Sequence, residues 1–335
     1  MKLCYFFQHR EILRNPGYTG NKKMKSNWIL ILLGVMLLAM IADAIDTRQE
    51  LLFIPVKHSA ADCWTGAGAN QIPVDEKGAL IRYGRNLIEN TAYYLGPNGN
   101  VKHISNGMNC QNCHLEAGTK PWGNNFGAVA ANHPKFAERS STIISIEKRV
   151  NDCFERSLNG LALDSNSKEM RAIVSYMKWL GSEIPKGTKP KGSGIMQLRY
   201  MNRAADPVKG KIVYTTTCER CHGKNGQGQI SPINITYTYP PLWGEHSYNN
   251  GAGLYRLSRF AGYVKNNMPN PQNYHSPQLT DEDAWDVAAF VNTQPRPAFD
   301  VSKDWPNTKK KPFDHPFGPY GDELSAVQHK YGPWK

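Results

Sequence analysis

The stretch Cys110-Gln111-Asn112-Cys113-His114 recurs as Cys218-Glu219-Arg220-Cys221-His222. C-x-x-C-H is the attachment signature of a c-type haem: two thiols bond to the porphyrin edge, and the adjoining histidine binds iron from one face. A redox C-x-x-C pair or a zinc site would need a histidine after both second cysteines by coincidence. Two copies therefore predict a cytochrome c with two covalently bound haem c groups, held by Cys110, Cys113 and His114 and by Cys218, Cys221 and His222. The fold that follows is mainly α, with two class I cytochrome c-like domains in tandem. A chain of 335 residues suits that number, at about 100 to 200 residues per domain.

Residues 1–44 read as a signal peptide, with Met24 an alternative start that would make the preceding residues an extension. Lys22, Lys23 and Lys25 precede the apolar run Trp28 to Ile41, and Ala42-Asp43-Ala44 supplies a small-x-small cleavage pattern. The run is shorter than the ~20 residues of a spanning helix, so membrane association is expected only if this leader stays as an uncleaved anchor. Either way the body is exported, as haem c attachment outside the bacterial cytoplasm requires. A first haem domain over 45–182, a linker over 183–206, a second haem domain over 207–295 and a tail over 296–335 complete the expected organisation.

The formal charge is +12, of which the leader contributes six Lys/Arg against two Asp/Glu, so about +8 remains on the body. Haem propionates reduce it further. A modestly basic surface suits small anions or an acidic redox partner, and no Lys/Arg stripe with interleaved aromatics points to nucleic acid.

Both domains are predicted to open with a helix (Gly78 to Asn90; Pro207 to Tyr214) and to close with an amphipathic one. Met170, Ile173, Val174 and Met177 fall at helical spacing in the first closing helix, and Ala284, Val287, Ala288 and Val291 in the second. A polar loop, Gly96 to Asn109, is inserted before the first motif. A proline segment follows each motif, at Lys120-Pro121-Trp122-Gly123 and at Pro240-Pro241-Leu242-Trp243-Gly244. In each, a proline carbonyl is expected to take the Nδ1 proton of the proximal histidine. Glu183 to Asp206 has linker composition. The tail after Pro295 is expected on the surface or against the first domain.

Distal ligands separate electron carriers from enzymes. In the second domain His246, Met268, His275 and Lys265 are candidates. Met268 is favoured: it lies 46 residues past His222, before Pro269 and the closing helix. In the first domain no methionine lies between Leu115 and Lys168, which leaves His133 and Cys153, 19 and 39 residues past His114. Ile143, Ile146, Val150, Cys153, Phe154 and Leu158 form one helical stripe. Arg149 at i−4, Arg156 at i+3 and Ser157 at i+4 surround the cysteine, and nearby cations favour thiolate over thiol. A buried, inert cysteine is the plainer alternative. A disulfide between Cys63 and Cys153 is another.

Cys110 to His114, Ala117-Gly118-Thr119-Lys120-Pro121, Glu138-Arg139-Ser140 and above all Val150-Asn151-Asp152-Cys153-Phe154-Glu155-Arg156-Ser157 resemble the dihaem thiosulfate dehydrogenase family, some members of which work as tetrathionate reductases. The resemblance spans roughly residues 75–295. It implies His114/Cys153 ligation at the first haem, with catalysis there, oxyanion binding by Arg139 and Arg149, and a supporting role for Ser157. Thiosulfate and tetrathionate are then the substrates, and a small cytochrome c is a fitting electron partner. Where some members carry a lysine just before the distal methionine and exchange ligands on reduction, this chain has Asn267, with Lys265 offset; stable His222/Met268 ligation is expected. The rival readings are a dihaem electron carrier without substrate chemistry and a dihaem peroxidase.

Overall fold

The computed structural model describes residues 63–232 and 236–334, together with Met36. The expected leader lies outside the described residues, apart from Met36. Among those described, no helix is long and apolar enough to cross a membrane.

The duplication expected from the motifs is visible in how the helices pack. In the first half, α1 (Glu76–Glu89) starts where the Asp75 carboxylate accepts from Gly78 N–H, two residues before the position read from periodicity. After the short α2 (Thr91–Leu95) comes a hairpin of β1 (Lys135–Ala137) and β2 (Thr142–Ile144), then α3 (Ile146–Arg156), capped by Ser145. The half closes with α4 (Lys168–Leu180). Helix α4 crosses α1 at Gly84, where an added Cβ would meet Ala172 O at 2.0 Å. Only glycine permits that approach.

The second half repeats the crossing. Helix α5 (Pro207–Val213) continues through a wide turn, Tyr214–Cys218, and one helical turn, Glu219–His222, so the haem motif follows without a loop. The closing helix is α7 (Asp281–Thr293). It meets α5 at Gly210, where an added Cβ would lie 1.8 Å from Asp286 O. Between them, α6 (Leu257–Asn267) runs up to Met268.

The predicted stripes of both closing helices are buried in two separate cores. Each large aliphatic side chain so buried contributes about 1.5–3 kcal/mol. One member of the predicted α3 stripe departs from it: Ile143 is 74% exposed because it lies on β2, before the helix begins. No disulfide joins Cys63 to Cys153; Cys63 is buried beside Gly192, and both thiols are free.

The segments with no periodicity are fixed by hydrogen bonds. Gly192 O accepts from Trp122 N (2.7 Å) and Gly194 O from Asn124 N (2.8 Å), while Arg199 O accepts from Trp285 Nε1 (3.1 Å). Residues 183–206 thus bind both halves. The tail does the same. Trp305 N donates to Arg139 O (2.7 Å), Asp304 grips Arg156, Asp314 grips Arg256, and α8 (Ala326–Tyr331) leads to Trp334, which packs on Trp285. The expectation of the surface or the first domain was too narrow, because the tail's aromatic end finds its partners in the second core.

Candidate active site

Each C-x-x-C-H motif opens onto a cavity. The first, about 360 Å³, is lined by Cys110, Cys113 and His114; the second, about 410 Å³, by Cys218, Cys221 and His222. Met108, Asn109 and Cys113 line both, so the two cavities adjoin.

The donor sets fit haem. His114 Nδ1 faces Asn124 O at 2.5 Å and His222 Nδ1 faces Pro240 O at 2.8 Å. A backbone carbonyl takes the Nδ1 proton in each case and leaves Nε2 as the ligand nitrogen. Burial pushes His114 down to about 4, which keeps the imidazole neutral as a metal ligand must be. The proline expectation is met at Pro240. In the first half the acceptor is Asn124 rather than Pro121, because the backbone doubles back through Trp122 and Asn124, both at positive φ. The His114 ring packs on Phe126 at 4.6 Å.

Helix α3 brings Arg149, Cys153 and Ser157 to the first cavity, one turn apart. Arg149 Nη1 lies 3.3 Å from Cys153 Sγ, and Cys153 holds that guanidinium above its ordinary range against the opposing effect of burial. The other two arginines singled out from sequence do not line the cavity. Arg139 follows β1, where burial and the nearby Arg156 push its guanidinium down to about 10, Asp304 partly offsetting this. Arg156 makes paired bonds to Asp304 (2.7 and 2.8 Å), donates to Gly251 O (3.3 Å) and stacks over Phe299. Its charge is fully engaged in joining α3 to the tail.

His133 also lines this cavity. Its Nδ1 faces Val129 O at 3.0 Å, while Nε2 is buried without a partner. Three further cations line the cavity and were not singled out from sequence: Lys135, Lys189 and Arg259. Each comes from a different segment, one of them in the other half of the chain, so no motif could have revealed them.

At the second cavity Met268 is in the lining and the other candidates are not. Lys265 Nζ is held by Leu279 O (2.7 Å) and Asp281 (2.9 Å), His275 is exposed against Tyr274, and His246 lies in a separate groove. Asn267 is buried and donates to Trp122 O (3.1 Å), across the two halves.

Comparison with known proteins identifies a cytochrome c domain in each half. Residues 100–185 match the family model described as SoxA/TsdA, cytochrome c domain, and residues 207–295 match Cytochrome c. The thiosulfate dehydrogenase of Psychrobacter arcticus is 40% identical over 243 residues, covering 70% of this chain and 69% of that protein. The thiosulfate dehydrogenase of Allochromatium vinosum is 37% identical over 239 residues, covering 70% and 85%. Among solved structures, a thiosulfate dehydrogenase (TsdBA) from Marichromatium purpuratum in its as-isolated form superposes with a TM-score of 0.65 at 30% identity. That match covers 71% of this chain and spans half the length of the solved one.

Proposed function

This chain belongs to the thiosulfate dehydrogenase family and is a cytochrome with two covalent haem c groups, and on that premise we propose that it couples two thiosulfates to tetrathionate, or runs the reverse, at the cavity holding Cys153. The observation that carries this reading is the Arg149 guanidinium 3.3 Å from Cys153 Sγ in the same cavity as His114. His114 and Cys153 would hold the first haem, and His222 and Met268 the second, each pair lining one cavity. When bound, the haems accept electrons singly and relay them to an external acceptor such as a small cytochrome c.

The first obstacle is charge. Two thiosulfate dianions about 5 Å apart repel by roughly 10 kcal/mol at an effective dielectric near 20. Arg149 offsets part of this, since a guanidinium fork matches sulfonate oxygens as it matches carboxylate or phosphate. Arg139 supports it from outside the cavity lining, and Ser157 offers a hydroxyl one turn beyond the sulfur.

Cys153, when released from the ligand position it would hold, is the nucleophile. Its thiolate sulfur bonds to the terminal sulfur of one thiosulfate as two electrons leave, giving a Cys153 thiosulfonate. The terminal sulfur of a second thiosulfate attacks the outer sulfur of that disulfide. The Sγ–S bond breaks, tetrathionate departs and the thiolate is restored. A thiolate from Cys153 would keep the first haem's potential low, and a thioether from Met268 would raise the second's. Each 100 mV between them is worth about 2.3 kcal/mol per electron and biases the direction. We infer a periplasmic location, a reading supported by the leader-like sequence of residues 1–44 and by the haem c motifs.

Two measurements test the reading. Purified dihaem protein is expected to form tetrathionate from thiosulfate with a one-electron acceptor, or to reduce tetrathionate with a donor; neither activity returns it to the electron carriers. Electron paramagnetic resonance of the oxidised protein is expected to show a thiolate-type low-spin signal. Only His/Met and bis-histidine signals would transfer the first haem's distal position to His133, whose Nε2 without a partner is the observation favouring that second reading.

A further inference from the structure

Among the described residues, the first cavity is lined by four cations, Lys135, Arg149, Lys189 and Arg259, and by no carboxylate. Three of them have no role in the chemistry described above. Lys135 begins β1, Lys189 belongs to the connecting segment, and Arg259 stands on α6 of the second half. All three are exposed to solvent and also line the cavity.

Among the described residues, no carboxylate forms an ion pair with any of the three. The charges that act on Lys135 are those of Arg149, Arg259 and Lys189, all of like sign. Asp314 is the acid that acts on Arg259, but it is already taken. One of its oxygens accepts from Arg256 Nε (2.8 Å) and Nη2 (2.5 Å), the other from Ser258 N (3.1 Å) and Oγ (2.5 Å). Like charges drawn from three separate segments repel one another, and a fold gains from gathering them only when an anion is present.

We propose that Lys135, Lys189 and Arg259 form an oxyanion-binding arc at the first cavity, so that the second haem domain completes the active site of the first. The inference rests on the function proposed above and deepens it. While the Cys153 adduct occupies Arg149 with one sulfonate, a second dianion must still approach, and the arc receives it. The haem's own carboxylates share this chemistry and are the competing occupant.

The test uses the holoprotein with both haems confirmed and compares wild type, Arg259→Gln, Lys189→Gln and Arg259→Lys. Tetrathionate is titrated calorimetrically into the fully oxidised protein, where no electrons are available for turnover. Weakening by about tenfold or more in Arg259→Gln, with partial recovery in Arg259→Lys, is expected, about 1.4 kcal/mol for each tenfold. A matching rise in the KM for thiosulfate, larger than the fall in kcat, is expected wherever the protein oxidises thiosulfate. Unchanged tetrathionate binding would overturn the proposal. So would unchanged binding with a lowered first-haem midpoint potential, which would assign the cations to the haem carboxylates. Because the titration needs no turnover, a protein that binds tetrathionate through the arc yet lacks activity would refute the proposed reaction alone.

Discussion

Cys153 and Arg149 sit one turn apart on α3, and that spacing was readable directly from the sequence. What the sequence left open was which other side chains share their cavity. Lys265 is a case where position along the chain misleads: close to Met268 in number, it is turned to Leu279 O and Asp281. Lys265→Met is therefore expected to leave the second haem's visible spectrum unchanged in both redox states. A ligand exchange in the wild type that the variant abolishes would contradict this. Replacing Met268 by His is expected to retain haem and to lower the second haem's midpoint potential by about 100 mV or more, given how strongly axial ligands tune potential; a redox titration followed optically decides it.

The helices obey local rules. The stripes on α4 and α7 lie at helical spacing, both are buried, and the cores they form follow from that spacing. The close crossings at Gly84 and Gly210 follow equally from the absence of a side chain. Gly84→Val is expected to destabilise the protein by about 3 kcal/mol or more, because the obstacle is the Ala172 backbone rather than a side chain that can move. Thermal unfolding checks this, and a change below about 0.5 kcal/mol would contradict the tight crossing. Local patterns failed where the chain turns or pairs instead of continuing a helix, and where the fold brings separate segments together. Ile143 has the right spacing for α3 but precedes the Ser145 cap, so it pairs in β2 instead. The His114 acceptor is Asn124 because of how the chain reverses after the motif, a backbone matter that proline content does not encode. Arg259, Lys189 and the tail carry no periodic or motif signal, and their positions result from the assembled fold.

The two haem domains, the connecting segment and the tail form one unit in which the site depends on all four. The cavities share Met108, Asn109 and Cys113, so haems filling them would be neighbours. The tail reaches α3 through the Arg156–Asp304 pair, both partners largely buried at 12% and 10% side-chain exposure, and through the Trp305 bond to Arg139 O. Removing one partner of such a pair leaves an uncompensated charge. Asp304→Ala is accordingly expected to cost about 3 kcal/mol in unfolding free energy, to release the tail to protease and to raise the KM for thiosulfate through Arg139. Full stability with unchanged KM would mean that the tail is only a covering.

The central claim is that chemistry takes place at Cys153 in the first haem cavity, and thiosulfate-dependent reduction of a one-electron acceptor, wild type against Cys153→Gly, tests it most directly. With two haems confirmed in each protein, the wild type is expected to reduce the acceptor and form tetrathionate, and the variant to lose that activity by at least about a hundredfold, the scale of losing a nucleophile. A variant that still turns over at the wild-type rate would contradict the claim and move the chemistry away from Cys153.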